Sequence, residues 1–479
     1  MSERRGRPFL AGLLLAAALA AGGAGSASAA RREIPARGDA AETAILEAAD
    51  GDTLLLGAGV HRGPLILSRR LLLRGAPGAV LDGGGAGTVL TVAAAGAAVE
   101  SLTIRGSGNG ALTLDAGVHV VSARGVRLRG LRVVDVLYGI AGERADSLVI
   151  EGCDLTGRVH PSVDVTPEMN EAAGNGVHLW YCRDVAVRRV AERRFMDGVY
   201  LSFVDRIVVE DGRFSRNGRY GLHTMYCQDN RLARNRFQFN LAGCAIMFSN
   251  HLELSRNDFV HNRGPRTYGV LLRDCSDGHF LENRMVDNTV AVFMDNSNRN
   301  VIRRNLVQDN GWGVILFSSC AGNEFAENDF VNDDYPVALD MRYSDNRFDD
   351  GRRGNYWSGN APYDLDGDGA SDVPYSPVSA FAFLSKRYPD LAILAQSPAA
   401  NALTMAERTI PALRPSQIVD RFPLVAPAPV GAGAGGSRGT RAAGDEAPGA
   451  RRGSFPTAAA FLLLAAAGLR GVASRGGPR

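Results

Sequence analysis

Lysine is almost missing from this chain: Lys386 is the only one, so arginine carries the positive charge. Acids and bases nearly cancel, at a formal net charge of +2. Phosphate contacts need a concentrated basic surface, so this balance argues against nucleic acid as a partner. Aromatic residues make up only 7% of the chain. The C-terminal apolar run Ala458 to Leu469, at about a dozen residues, is short of the roughly 20 that a membrane-spanning helix requires. Helical periodicity is lacking through the middle of the chain, where apolar positions alternate over short stretches instead.

What the chain has in abundance is repetition. Asparagine recurs at Asn235, Asn257, Asn283, Asn305 and Asn328, and five places on at Asn217, Asn240, Asn262, Asn288 and Asn310, with Asp333 closing the second series. The period is about 22 to 23 residues with one longer step, the signature of a solenoid whose units bury their faces by stacking. Apolar columns keep the same period, one holding Phe237, Phe259, Met285, Val307 and Phe330, another Leu222, Cys244, Val270, Val292, Val314 and Val337. Each belongs to a strand of a few residues, which predicts an all-β chain folded as a right-handed parallel β-helix. The asparagines are expected to stack as inward amide ladders at the corners, satisfying backbone groups there.

Earlier rungs are less regular, yet Thr53 to Leu56, Leu71 to Leu73, Val89 to Val92 and Val99 to Ile104 read as strands, and Ala41 to Ala48 as a short helix plugging the open end. A turn glycine recurs at Gly117, Gly139, Gly176, Gly198, Gly221, Gly243 and Gly269. The step from Gly139 to Gly176 exceeds one period by about 15 residues, so Arg158 to Ala173 must leave the coil as a loop.

Chemistry is expected on outward columns, because inward ones are taken up by packing. Two places past the glycine stand His119, Ala141, His178, Tyr200, His223 and Ala245, and four past it Trp180, Ser202, Met225 and Met247. His223, Met225 and Cys227 then alternate along one strand, with Met247 a rung away at about 4.8 Å. Imidazole with two thioethers is a soft set that suits a cuprous ion and suits calcium or magnesium poorly. The same residues also read as part of a docking surface. Of the six cysteines, Cys182, Cys227 and Cys275 share a column two rungs apart, too far to bond, and Cys244 points into the core, so few or no disulfides are expected.

Asp364, Asp366, Asp368 and Asp372 set acidic oxygens around a glycine turn as calcium loops do, but Tyr375 stands where a closing glutamate belongs; a tight acidic turn is the other reading. Helical runs at Phe381 to Arg387 and Ala402 to Glu407, broken by prolines, form a partly helical C-terminal capping tail. At the other end Arg4, Arg5 and Arg7, the apolar run Phe9 to Ala21 and the small residues Ala27-Ser28-Ala29 make a secretory signal peptide. The predicted organisation is a signal peptide at 1–29, β-helix at 30–377, capping tail at 378–425, disordered linker at 426–456 and a short apolar segment at 457–479 that reads either as an anchoring tail or as an extension.

The stretches Gly174-Asn175-Gly176-Val177-His178-Leu179-Trp180, Arg219-Tyr220-Gly221-Leu222-His223-Thr224-Met225-Tyr226, Asn262 to Leu272 and Gly354-Asn355-Tyr356-Trp357 to Gly369, with Ile410 to Pro415 in the tail, resemble the NosD family. That resemblance implies a non-enzymatic periplasmic protein that helps mature nitrous oxide reductase by supplying copper to its copper-sulfur centre. It also implies partners: the membrane and ATPase subunits of an ABC transporter, a membrane-anchored copper chaperone and the reductase apo-protein. His223, Met225 and Met247, with His178 on the same column, would then hold copper in transit. The competing class is a β-helix lyase, epimerase or hydrolase acting on uronate polysaccharides, or a carbohydrate-binding protein. Such enzymes gather acidic groups beside a basic one, and Arg273, Asp274 and Asp295 are the nearest approach here.

Overall fold

The computed structural model describes residues 29–159, 173–340, 344–394, 397–410 and 418–428. The predicted signal peptide, most of the loop between Arg158 and Ala173, and nearly all of the linker and apolar C-terminal segment lie outside these residues, as does Pro411 to Pro415. The described chain winds into a right-handed parallel β-helix, with 13 strands each in sheets 1 and 2 and 12 in sheet 3. One rung runs Arg231–Ala233 in sheet 1, Arg236–Gln238 in sheet 2 and Ala242–Met247 in sheet 3, then returns to sheet 1 at Glu253–Ser255.

The corners explain why this sequence coils. Isolated residues there take left-handed backbone, with φ of 56° at Arg234, 57° at Phe239 and, between sheet 3 and the next sheet 1 strand, 51° at Phe248 and 53° at His251. That conformation costs an L-residue roughly 1–2 kcal/mol, so something must hold it. After Arg234, Phe239 and Phe248 the holding group is the next side chain, Asn235, Asn240 or Ser249, which turns inward and accepts the backbone N–H of its counterpart one rung earlier, while after His251 the apolar Leu252 turns inward instead. Asn235 N donates to Asn257 Oδ1 at 3.0 Å, Asn257 N to Asn283 at 3.0 Å and Asn283 N to Asn305 at 2.9 Å. The second series behaves alike, from Asn217 through Asn240, Asn262, Asn288 and Asn310 to Asp333. A third ladder, not anticipated from the sequence, runs through Asn300, Asn323 and Asn346.

Every ladder needs a last acceptor. Asp333 ends the second, Ser344 Oγ takes the N–H of Asn346 at 3.1 Å, and for the first Asp420 arrives from the tail to accept from Asn355 N at 2.7 Å and Trp357 Nε1 at 2.8 Å. Inside the coil apolar columns stack rung on rung, with Phe214, Phe237 and Phe259 at ring separations of 5.2 Å.

Two expectations need correction. Val99 to Ile104 is not one strand but two, Ala98–Glu100 and Thr103–Arg105, because Ser101 takes the left-handed corner and Leu102 turns inward. The recurring glycine is not a turn residue: none of the seven has left-handed φ. It stands at the start of the sheet 3 strand, where an added Cβ at Gly221 would lie 2.7 Å from the carbonyl oxygen of Gly243, and at Gly139 only 2.3 Å from that of Gly176. Close approach of the next rung, rather than backbone freedom, selects glycine there.

The ends are covered. The helix Ala40–Glu47 buries Ala41, Ala44 and Ile45 against the first coils, as expected. In the tail, helices Ala380–Arg387 and Pro398–Thr409 are capped by Ser379 and Ser397, and Ala382 packs on Ile315 and Ala338 on the outer face of sheet 3.

Replacing Asn257 by Leu removes the acceptor for Asn235 N–H and the donor to Leu232 O. Each stranded group costs about 1–3 kcal/mol, so the urea midpoint should drop clearly, whereas a change at an exposed corner residue such as Arg256 should barely move it. Asp333 offers the opposite case. Burial raises its carboxyl to about 8, while its Oδ2 has no partner. Since the unfolded carboxyl ionises at its ordinary value near 3.8, the native chain holds the extra proton, and stability from this group falls as pH rises from about 4 to 8. Asp333→Asn, which restores the amide used elsewhere in the column, should raise the melting temperature, with a gain of about 1 kcal/mol or more at pH 8 that shrinks toward pH 4.

Candidate metal centre

The sheet 3 register places the sequence-predicted residues where the spacing puts them. His119, Ala141, His178, Tyr200, His223 and Ala245 are successive partners across the ladder, and beside them Trp180 pairs Ser202, Ser202 pairs Met225 and Met225 pairs Met247. Met225 and Met247 are partly exposed neighbours on adjacent rungs. Tyr200 OH lies 3.8 Å from Met225 Sδ.

His223 is not the open surface residue expected of an outward column. It is 6% exposed, with Tyr200 and Tyr220 both edge-on to its ring at centroid distances of 5.1 Å. Its Nδ1 lies 3.1 Å from Asp197 Oδ2, and its Nε2 is buried without any hydrogen-bond partner. Asp197 is itself fully buried. Burial opposes its ionisation, but hydrogen bonds from Arg219 and His223 outweigh that and hold it below the usual carboxylate range. Arg219 grips it with Nε to Oδ1 at 2.9 Å and a terminal nitrogen to Oδ2 at 2.5 Å. A carboxylate behind an imidazole is the usual outer support of a metal-binding histidine. Sequence reasoning missed Asp197 and Arg219 because neither lies in the histidine column; the 22-residue offset between them was the available signal.

His178 is held differently. Asn175 Oδ1 accepts from Asp197 N at 3.2 Å, which turns Asn175 Nδ2 toward His178 Nδ1 at 2.9 Å. Nδ1 therefore accepts, and the imidazole proton sits on Nε2. Stacked on Tyr200 at 4.9 Å and edge-on to Tyr138 at 5.3 Å, His178 is neutral, its pKa lowered to about 4 by burial. His119 Nε2 is likewise buried and unpartnered.

Cys227 does not share a face with His223 and Met225. The corner residue Tyr226, at φ 57°, re-aims the chain so that the thiol points inward, 3.4 Å from Met225 O. All six cysteines are free and buried. Cys182, Cys227, Cys275 and Cys320 alternate with Ser249 and Ser297 in a corner column, doing for that edge what asparagine does for others: Cys227 N donates to Ser249 Oγ at 3.1 Å and Cys275 N to Ser297 Oγ at 3.2 Å.

The corner residues outside that column form a second feature. Tyr181, Phe203, Tyr226 and Phe248 stack with centroids 4.7–5.1 Å apart, Tyr181, Phe203 and Tyr226 being exposed, beside a cleft lined by Arg144, Asp146, Arg183 and Asp205. Their faces are occupied by one another, so they present edges to solvent. In the tail, carboxylate oxygens of Asp364, Asp366 and Asp372 come within 4.8 Å of one another, without Asp368. Those oxygens already accept loop amides, Asp364 from Gly367 and Gly369 and Asp372 from Leu365, as in an acidic turn.

A sequence profile described as "Periplasmic copper-binding protein (NosD)" matches residues 159–361. The chain is 30% identical over 395 residues to the probable ABC transporter binding protein NosD of Pseudomonas aeruginosa, covering 79% of this chain and 89% of that protein. The chain belongs to the NosD family. A protein of the same description from Stutzerimonas stutzeri is 25% identical over 77% of this chain and 86% of its own length. Among solved structures, the A-module of a mannuronan C-5 epimerase from Azotobacter vinelandii aligns over 68% of this chain and 94% of that chain at 15% identity and a TM-score of 0.42. The surface adhesin PfbA of Streptococcus pneumoniae aligns over 71% and 92% at 10% identity and a TM-score of 0.44.

In this NosD-family chain the residues nearest to an enzyme-like acidic cluster, Arg273, Asp274 and Asp295, are a 3.4 Å surface ion pair between Arg273 and Asp295 with Asp274 bound to Asn296. No helix among the described residues is long and apolar enough to cross a membrane. The thiols are buried and unreactive: burial lifts Cys153 and Cys227 to about 11 and Cys275 to about 12, far from the reactive thiolate range. Ellman's reagent at pH 8 should find almost no thiol in the folded protein and six in denaturant. Rapid labelling of Cys227 in the native state would mean that the corner opens.

Proposed function

We propose that this chain is a periplasmic accessory protein for the maturation of nitrous oxide reductase, assisting copper delivery to the copper-sulfur centre together with an ABC transporter. Its partners on this reading are the transporter's membrane and ATPase subunits, a membrane-anchored copper chaperone and the reductase apo-protein. Family membership supports the periplasmic setting, copper and the transporter. The observation that carries the site is the buried, unpartnered Nε2 of His223 with Met225 and Met247 paired beside it.

An orphaned buried nitrogen is costly unless it serves a ligand, and it belongs to the residue two places before Met225 on the strand where Met225 pairs with Met247. Copper is cargo, and the fit to it is chemical: one imidazole with thioethers holds a soft, singly charged ion and discriminates against zinc or calcium, which thioethers bind feebly. His178, one Tyr200 away along the column, lines the same face without offering a lone pair at Nε2 as it is held.

The test is competition for cuprous ion between the protein and a colorimetric chelator. Met225→Leu and Met247→Leu, which keep volume and remove sulfur, should each weaken binding about tenfold, near 1.4 kcal/mol, and His223→Ala by more, with zinc affinity little changed by the methionine replacements. If all three variants bound as the wild type while reductase maturation in cells still failed, this face would be a docking surface rather than a copper site.

A further inference from the structure

We infer that Asp197 is a positioning residue that sets the tautomer of His223, with Arg219 fixing Asp197 in turn. This deepens the copper reading and rests on it for its consequence, though not for its geometry. The four lone-pair directions of the Asp197 carboxylate are all occupied: Oδ1 accepts from Arg219 Nε at 2.9 Å and Tyr220 N at 3.2 Å, and Oδ2 accepts from the Arg219 terminal nitrogen at 2.5 Å and faces His223 Nδ1 at 3.1 Å. A buried carboxylate so gripped neither rotates nor withdraws.

An imidazole nitrogen 3.1 Å from a carboxylate oxygen must carry the hydrogen between them, since two lone pairs at that distance repel. The Arg219 terminal nitrogen, 3.4 Å from the same Nδ1, is the longer contact and already donates to Oδ2. The proton therefore sits on Nδ1, and the lone pair of His223 is on Nε2, the atom left buried and unpartnered. His178 shows the reverse arrangement on the same column, where an amide donor at Nδ1 puts the hydrogen on Nε2. Two histidines two rungs apart are thus set to opposite tautomers by the outer groups behind them, and only one is prepared as a donor. Asp197 comes from the rung before, through the loop joining Ala191–Arg193 to Val199–Ser202, so the imidazole is fixed across rungs rather than within its own strand.

The experiment uses the signal-cleaved, metal-free protein labelled with nitrogen-15 at its eight histidines, the His223 signals being assigned by their loss in His223→Ala. Wild-type His223 should show a protonated Nδ1 and bare Nε2. In Asp197→Asn, whose amide presents a donor to Nδ1, the pattern should invert. Cuprous affinity of Asp197→Asn should fall about 10–100-fold, the usual effect of losing an outer partner of a metal ligand, and the change should vanish in a His223→Ala background. A wild-type imidazole protonated at Nε2 would overturn the assignment without any variant, and so would an Asp197→Asn protein that lost affinity equally with or without His223. If His223→Ala bound copper as the wild type does, the copper reading would fail at this residue, while the tautomer measurement would still decide what Asp197 does.

Discussion

The coil depends on one buried hydrogen bond repeated at its corners. To turn without glycine, a residue adopts left-handed backbone and the N–H that follows is carried inside, away from water. An unpaired buried amide costs enough to unfold a corner, so each rung supplies an inward oxygen or sulfur for the rung before it. Asparagine suits this because one side chain both accepts from the earlier rung and donates onward: Asn283 takes Asn257 N and gives its Nδ2 to Leu254 O and Asn305 Oδ1. The ladder thereby locks register, and register aligns the columns on the outer face of sheet 3.

That dependence explains what could be read from the sequence. Polar residues buried at fixed period have few other uses, so the two long asparagine series and their ladders were visible, as was the column of His178, Tyr200 and His223. The third ladder was hidden because Leu252 and Gly278 interrupt it after Asn230. The cysteine and serine column was hidden because its residue types change while its hydrogen bonds do not. Tyr226 and Phe248 look like strand residues in sequence yet sit at corners, since any side chain can point outward there once the next residue satisfies the backbone.

At the site the legible part was the alternation, and the illegible part was burial. A column two residues past the glycine was expected to face solvent. Large rings from neighbouring rungs and from the adjoining column, Tyr200 and Tyr220, close over His223 instead, and Asp197 enters from a different segment of the preceding rung. Burial changes what the imidazole is for. An exposed histidine would exchange its tautomers through water, whereas this one has a fixed proton and a fixed lone pair.

The tail follows from the same constraint at the coil's end. A ladder that passes acceptors rung to rung leaves a final N–H with no following rung. Asp420 meets that need for the first ladder from 65 residues away, taking Asn355 N, Trp357 Nε1 and Phe422 N, while Arg421 binds Asp349. Its donors exceed what a neutral side chain could accept, which makes an acid the natural terminator where asparagine serves in the interior. Gly354 has no room for a Cβ because the Asp420 carboxylate occupies that space. The tail is therefore part of the solenoid's hydrogen-bond economy, and cutting it before Asp420 removes the last acceptor of a ladder that reaches back to Asn235.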